Sequence, residues 1–162
     1  RGLVFLLFCF AAVQVFSAEE PKTQIGSNSL ESLTGVSPRV TLDSTVKAEG
    51  ESSLKIEADG PCRVTVARFS GTEFDKFVLV TNAHIKTSMK NGTVILETLV
   101  RVKDGYFFSR AMDMPIGGET DWQTVKTSFF FQENERPEEI LVNLVVEGVG
   151  SIWVDNVVLN RE

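Results

Sequence analysis

The sequence predicts an all-β fold, a two-sheet antiparallel β-sandwich of about nine strands. Two observations carry this. From Pro38 onward, short runs of Val, Ile, Leu, Phe and Thr are separated by Gly, Asn, Asp or Pro, the spacing of strands and turns. Most runs alternate apolar with polar residues, whereas no stretch repeats its apolar residues with the period of an amphipathic helix.

The elements follow in order. Val40 to Val46 is a weak strand, and Ser53 to Ala58 a clear one with Leu54 and Ile56 inward. Arg63 to Phe69 sets Val64 and Val66 against Arg63, Thr65 and Arg68. Phe77 to Lys86 turns Phe77, Leu79, Ala83 and Ile85 one way and Val78, Val80, Asn82, His84 and Lys86 the other. Lys90-Asn91-Gly92 reads as a hairpin turn, because Asn and Gly tolerate positive φ. It leads into Thr93 to Val102, where Val94, Leu96, Val100 and Val102 oppose Thr93, Ile95, Glu97, Leu99 and Arg101. Tyr106 to Met112, Trp122 to Gln132, Ile140 to Val146 and a closing strand ending near Leu159 complete the set. Phe129-Phe130-Phe131 and Ile140 to Val146 are apolar on both faces, which predicts central strands or strands covered by a loop.

Ahead of this domain, taken as residues 39–162, lie two segments of different character. Residues 1–17 read as a signal peptide: Arg1 precedes an uncharged apolar run from Leu3 to Val13, and Val15-Phe16-Ser17 suits a peptidase. Secretion or a periplasmic location follows, with membrane attachment only if the signal stays uncleaved. Its removal leaves Cys62 as the sole cysteine, so neither an intrachain disulfide nor a Cys₄ zinc site can form. Residues 18–38 are polar and read as a linker or a loosely docked arm, in which Leu30, Leu33 and Val36 offer a short packing turn.

The net charge of −6, with acidic and basic residues interspersed, argues against a nucleic-acid partner. Catalysis finds little support. His84, the single histidine, sits mid-strand with no nucleophile motif nearby, and a zinc hydrolase needs more histidines. Glu97 with Glu147 or Asp113 makes a carboxylate pair of the kind glycosidases use, but any acidic sandwich offers such pairs. Alternation instead gathers Asn82, His84, Glu97, Arg101, Arg110 and Asn143 on one outer face, with Glu97 and Arg110 suited to a cross-strand ion pair. Asp155 is the anomaly of the apolar closing strand, since a carboxylate there needs a donor, a cation or a bulge that turns it outward.

From Val40 to Leu159 the sequence resembles the β-jelly-roll carbohydrate-binding modules of the galactose-binding-like fold. The matching marks are Glu49-Gly50 leading to Ser53-Leu54-Lys55-Ile56, then Phe77-Val78-Leu79-Val80, then Asp121-Trp122-Gln123-Thr124-Val125 leading to Phe129. The most characteristic is Gly150-Ser151-Ile152-Trp153-Val154-Asp155-Asn156-Val157-Val158-Leu159. The stretches from Tyr106 through Trp122 and from Asn143 to Gly148 look like a subgroup of such domains in exported bacterial proteins. The resemblance implies a structural calcium held by Asp155, with Asp43 or Glu51 in place of the absent N-terminal Gly-Phe-Glu pattern. An aspartate that accepts backbone N–H bonds in a bulge is the alternative, in which no cofactor is required. It also implies carbohydrate as partner: Tyr106 or Trp153 would stack on a sugar while Asn82, His84, Glu97, Arg101, Arg110 and Asn143 bond its hydroxyls. Trp122 is assigned to the core. The expected function is therefore non-catalytic binding of a poly- or oligosaccharide. The alternative is a structural or protein-interaction domain of the bacterial envelope or surface, with a protein partner or self-association on the same face.

Overall fold

The computed structural model describes residues 22–74 and 76–162, so the signal-peptide reading lies outside the described residues. Ten strands form, and no helix occurs among the described residues. They are β1 Thr23–Asn28, β2 Val40–Asp43, β3 Ser53–Asp59, β4 Cys62–Ser70, β5 Val78–Val102, β6 Gly105–Arg110, β7 Ile116–Glu119, β8 Gln123–Phe130, β9 Glu139–Val146 and β10 Val149–Arg161. All pairings are antiparallel. The hydrogen-bonded path β2-β3-β10-β5-β9-β4 curls on itself through the 25-residue β5. Its first half, up to Asn91, pairs with β10 and β8; its second half, from Thr93, pairs with β9 and β6. Two sheets thus face each other, β2-β3-β10-β5-β8 and β4-β9-β5-β6, with β1 extending the first along β10.

The expected hairpin at Lys90-Asn91-Gly92 does not form. An Asn-Gly pair permits a tight turn locally, but here the chain runs on and passes from one sheet to the other. Gly92 has φ of 72°, and a Cβ there would lie 2.0 Å from the Glu147 carbonyl oxygen; one on Gly148 would lie 2.1 Å from the Asn91 carbonyl oxygen. Two backbones therefore cross in contact at this corner, which only glycine permits. Strand faces follow the alternation read from the sequence: Leu54, Ile56, Leu79, Ala83, Ile85, Val94, Leu96, Val100, Ile152 and Val154 all enter one buried core.

Two hydroxyl pairs also tie the sheets together from within. Thr98 Oγ1 donates to Thr81 Oγ1 at 2.7 Å, and Ser109 and Thr127 hydroxyls meet at 2.8 Å. Thr81 pairs with Thr127 and Thr98 with Ser109 across their own sheets, so four hydroxyls form one interior patch. Buried hydroxyls are tolerable only when so satisfied.

From Lys22 onward the polar segment ahead of the domain docks on the sandwich. Thr23–Asn28 runs along β10, Lys22 Nζ reaches Glu162 at 2.7 Å, and Leu30 is fully buried. β9 is central, as its two apolar faces predict, but β8 is an edge strand that leaves Phe130 exposed. Trp122 precedes β8 half-buried and outside the core to which it was assigned.

Candidate functional site

The six polar residues expected on one face are split between the two sheets. Glu97, Arg101, Arg110 and Asn143, with Tyr106, lie on the outer face of β4-β9-β5-β6; Asn82, His84 and Trp153 lie on the outer face of the opposite sheet. The passage at Gly92 is the reason. Side chains that alternate outward before it and after it belong to sheets stacked back to back, so they point away from one another.

On the β4-β9-β5-β6 face, register places Arg110, Glu97, Asn143 and Thr65 in one row across β6, β5, β9 and β4. Glu97 is fully buried and every one of its bonds is charge-assisted. Its Oε2 accepts from Arg110 Nε at 2.8 Å and from Arg63 Nη2 at 3.0 Å, while Oε1 accepts from Asn143 Nδ2 at 2.9 Å. Asn143 Oδ1 in turn accepts from Thr65 Oγ1 at 2.8 Å. The row ends at Ser37, whose hydroxyl accepts the Thr65 N–H at 2.9 Å and whose own N–H reaches the Thr65 carbonyl. A carboxylate at this depth requires such a set of donors, and the set fixes the orientation of both guanidinium groups. The cross-strand Glu97–Arg110 pair agrees with the sequence. Arg63 and Thr65 were legible only as outward-facing residues, because their partners lie on strands remote in the chain.

Beside this row the edge strand β6 presents two rings. Tyr106, opposite Arg101, is 61% exposed, and Phe108, opposite Leu99, is 57% exposed. They stand two residues apart on one strand and so share a face. Arg110 lies over the Phe108 ring at 4.7 Å, which locks the guanidinium against an aromatic surface. Arg101 Nη1 bonds Glu138 at 2.7 Å, its Nε lies 3.7 Å from Glu139, and Arg68 also pairs with Glu139. These residues border a shallow depression of about 270 Å³. The face thus offers flat apolar rings next to polar groups held at fixed angles.

The opposite face is put together differently. Trp153 is half-buried: its Nε1–H donates to Asp43 Oδ2 at 2.9 Å and Lys55 Nζ lies 5.3 Å from its ring. Asn82 borders a hollow of about 230 Å³ with Lys126, Ser128 and Asn160, and His84 is registered against Asp155 and Thr124.

Two of the three residues named for a cation, Asp155 and Asp43, have other partners. Asp155 Oδ2 accepts the N–H groups of Ala48 and Glu49 at 3.0 and 3.1 Å, where β10 bulges and Asn156 adopts φ of 48°. Asp43 Oδ1 accepts from the Thr45 hydroxyl and from the N–H groups of Thr45 and Val46. The Thr45 hydroxyl foremost, with Trp153 and those N–H groups, holds its carboxyl well below the usual carboxylate range. Among the described residues no three His, Cys, Asp or Glu side chains form a group able to hold a metal ion. The bulged aspartate bonded to backbone N–H groups is the arrangement found.

A larger hollow, about 620 Å³, opens at one end of the sandwich between residues 71–73, 102–104 and 134–138, with Phe107 in its wall. Of its carboxylates, Glu138 is bound to Arg101, Glu73 lies 3.7 Å from Arg136, and Glu135 accepts the Gln132 N–H at 2.7 Å. Glu97, offered as one half of a glycosidase pair, is sealed beneath two arginines and has no access to a substrate.

No family model and no curated protein matches the sequence. Solved structures do match. A family 16 carbohydrate-binding module superposes with a TM-score of 0.59 at 14% identity, over 78% of this chain and 91% of that one. The CBM22-1 xylan-binding domain of Xyn10C from Paenibacillus barcinonensis gives 0.59 at 13%, over 89% and 97%. The C-terminal family 22 carbohydrate-binding module of Clostridium thermocellum Xyn10B gives 0.59 at 9%, over 84% and 91%. At these identities the likeness concerns the backbone alone: the chain has the β-sandwich fold of the carbohydrate-binding modules.

Proposed function

We propose that the chain is an exported, non-catalytic carbohydrate-binding domain whose site is the outer face of β4-β9-β5-β6. The observation that carries this is the pairing of two exposed rings, Tyr106 and Phe108, with the fixed row Arg110–Glu97–Asn143 on the same face. A flat ring covers the apolar C–H face of a pyranose, and guanidinium groups already held in place bond its hydroxyls without a further ordering cost. The face is open, so single-site binding is weak and gains from repeated copies or a repeating ligand. The fold shared with domains whose names state carbohydrate or xylan binding supports the same reading.

Titration of the chain against a panel of soluble polysaccharides, by calorimetry and by retardation in glycan-containing gels, tests it. Saturable binding to at least one glycan, without release of reducing ends on prolonged incubation, is the expected result. Release of reducing ends would make the domain an enzyme. Absence of binding across the panel, together with a stable dimer, would favour the interaction reading, for which Phe130, exposed on edge strand β8, is the supporting observation.

A further inference from the structure

We propose that the glycan recognised on this face carries an acidic group, a uronate carboxylate or a sulfate ester, and that Arg63 and Arg110 receive it. The inference rests on the carbohydrate reading above and adds the charge of the ligand. Two guanidinium groups share a single carboxylate oxygen, Glu97 Oε2, at 3.0 and 2.8 Å. One negative charge therefore faces two positive ones. Glu97 is fully buried, whereas the Arg63 side chain is 48% exposed and that of Arg110 28%, so the cations form the accessible layer and the anion lies beneath them.

Their remaining donors have no partner among the described residues. Among the described residues Arg63 donates one hydrogen bond, through Nη2, and Arg110 donates only through Nε, leaving the N–H groups of its two terminal nitrogens clear. A guanidinium fork is shaped for two oxygens of one oxyanion, and the Phe108 ring keeps the Arg110 fork from swinging away. The pattern continues along the face: Arg68 and Arg101 also point outward there, so four arginines stand on one sheet of a chain whose net charge is −6. Arg68 and Arg101 are matched by Glu138 and Glu139, which leaves the unbalanced charge at Arg63 and Arg110. An acidic substituent on a sugar stacked at Phe108 or Tyr106 lies within reach of that charge. A neutral sugar would use the same donors but would leave the excess charge without a counterpart.

The experiment compares affinities of the full chain for polygalacturonate and alginate (uronates), for dextran sulfate and chondroitin sulfate, and for neutral xylan, galactan and glucomannan, each at low and high salt. The expected result is binding to a uronate or a sulfated glycan at least tenfold tighter than to any neutral one, weakened by salt. The uronate and sulfate arms separate the two sources of the acid. Arg63→Gln, which leaves Arg110 on Glu97, should remove about tenfold of the acidic-glycan affinity with little change in melting temperature, and Arg63→Lys should restore part of it. If Arg63→Gln fails to fold, the Lys variant and the glycan comparison still decide. Equal affinity for neutral and acidic glycans would overturn the acidic ligand and leave the carbohydrate reading standing. Binding to no glycan in any arm would overturn both.

Discussion

Replacing Glu97 by Ala removes the acceptor around which the candidate face is ordered, and its cost can be worked from the partners. Asn143 Nδ2 is buried and would lose its acceptor, which costs about 2 kcal/mol for an unsatisfied donor. Arg110, mostly covered, would lose a charge-assisted bond worth about 2 kcal/mol. Arg63 is nearly half exposed and would rehydrate, so its loss adds less than about 1 kcal/mol. The expected destabilisation is about 4 kcal/mol, within the range for breaking a buried pair from one side. For a domain of this size it lowers the melting temperature by about 10 °C. Glu97→Gln should cost about half as much: the Asn143 amide can reverse, Thr65 Oγ1 can accept, and chiefly the charge is lost. Urea unfolding and thermal circular dichroism of both variants provide the assay. An Ala variant within about 1 kcal/mol of the parent would show that Glu97 is not the buried hub, and the reasoning would fail.

Other outcomes follow from single sites. Chelation or added calcium should leave the melting temperature unchanged, whereas Asp155→Ala should lower stability by about 2 kcal/mol by stripping the Ala48 and Glu49 N–H groups of their acceptor; a rise with calcium would place a cation at Asp155 instead. Gly92→Ala should cost at least about 2 kcal/mol or prevent folding, since it adds positive-φ strain to a backbone clash with Glu147; a normally stable variant would refute the crossing of the two backbones. Asp43 is held below the usual carboxylate range, so its stabilising effect is complete at neutral pH, above the unfolded value of about 3.9. It is lost as pH falls below that value toward the folded one. The stability gap between the parent and Asp43→Asn should therefore close in acid, and a gap that widens below about pH 4 would contradict it.

What the sequence discloses is what short-range order decides. Alternation around Leu79, Ile85, Leu96 and Ile152 gave both the strands and their inward faces, and with them the outward position of Glu97 and Arg110. What it conceals depends on contacts between distant residues. Asn91-Gly92 is a turn signal by local preference, but the carbonyl of Glu147, packed against Gly92, decides that the strand continues. That one difference sends Asn82 and His84 to the opposite side of the molecule from Glu97. Thr23–Asn28 lacks an apolar period and is ordered by main-chain bonds to β10, with Gly26 allowing Phe69 to approach where a Cβ would lie 2.9 Å from its ring. Asn143 and Thr65 join Glu97 only once the β5-β9-β4 register is known. Trp122 follows the same logic: a strand start predicts an inward indole, but its place ahead of an edge strand leaves it half-buried.

The central claim is that glycan binds on the face carrying Tyr106 and Phe108 and not on the one carrying Asn82. Calorimetric titration of the best-binding polysaccharide into the parent, the Tyr106→Ala/Phe108→Ala double variant and Asn82→Ala tests it most directly. Loss of stacking on two rings should weaken binding in the double variant by about a hundredfold or more, with Asn82→Ala unchanged. The reverse pattern, an intact affinity in the double variant and a loss at Asn82, would contradict the account and move the site to the opposite sheet.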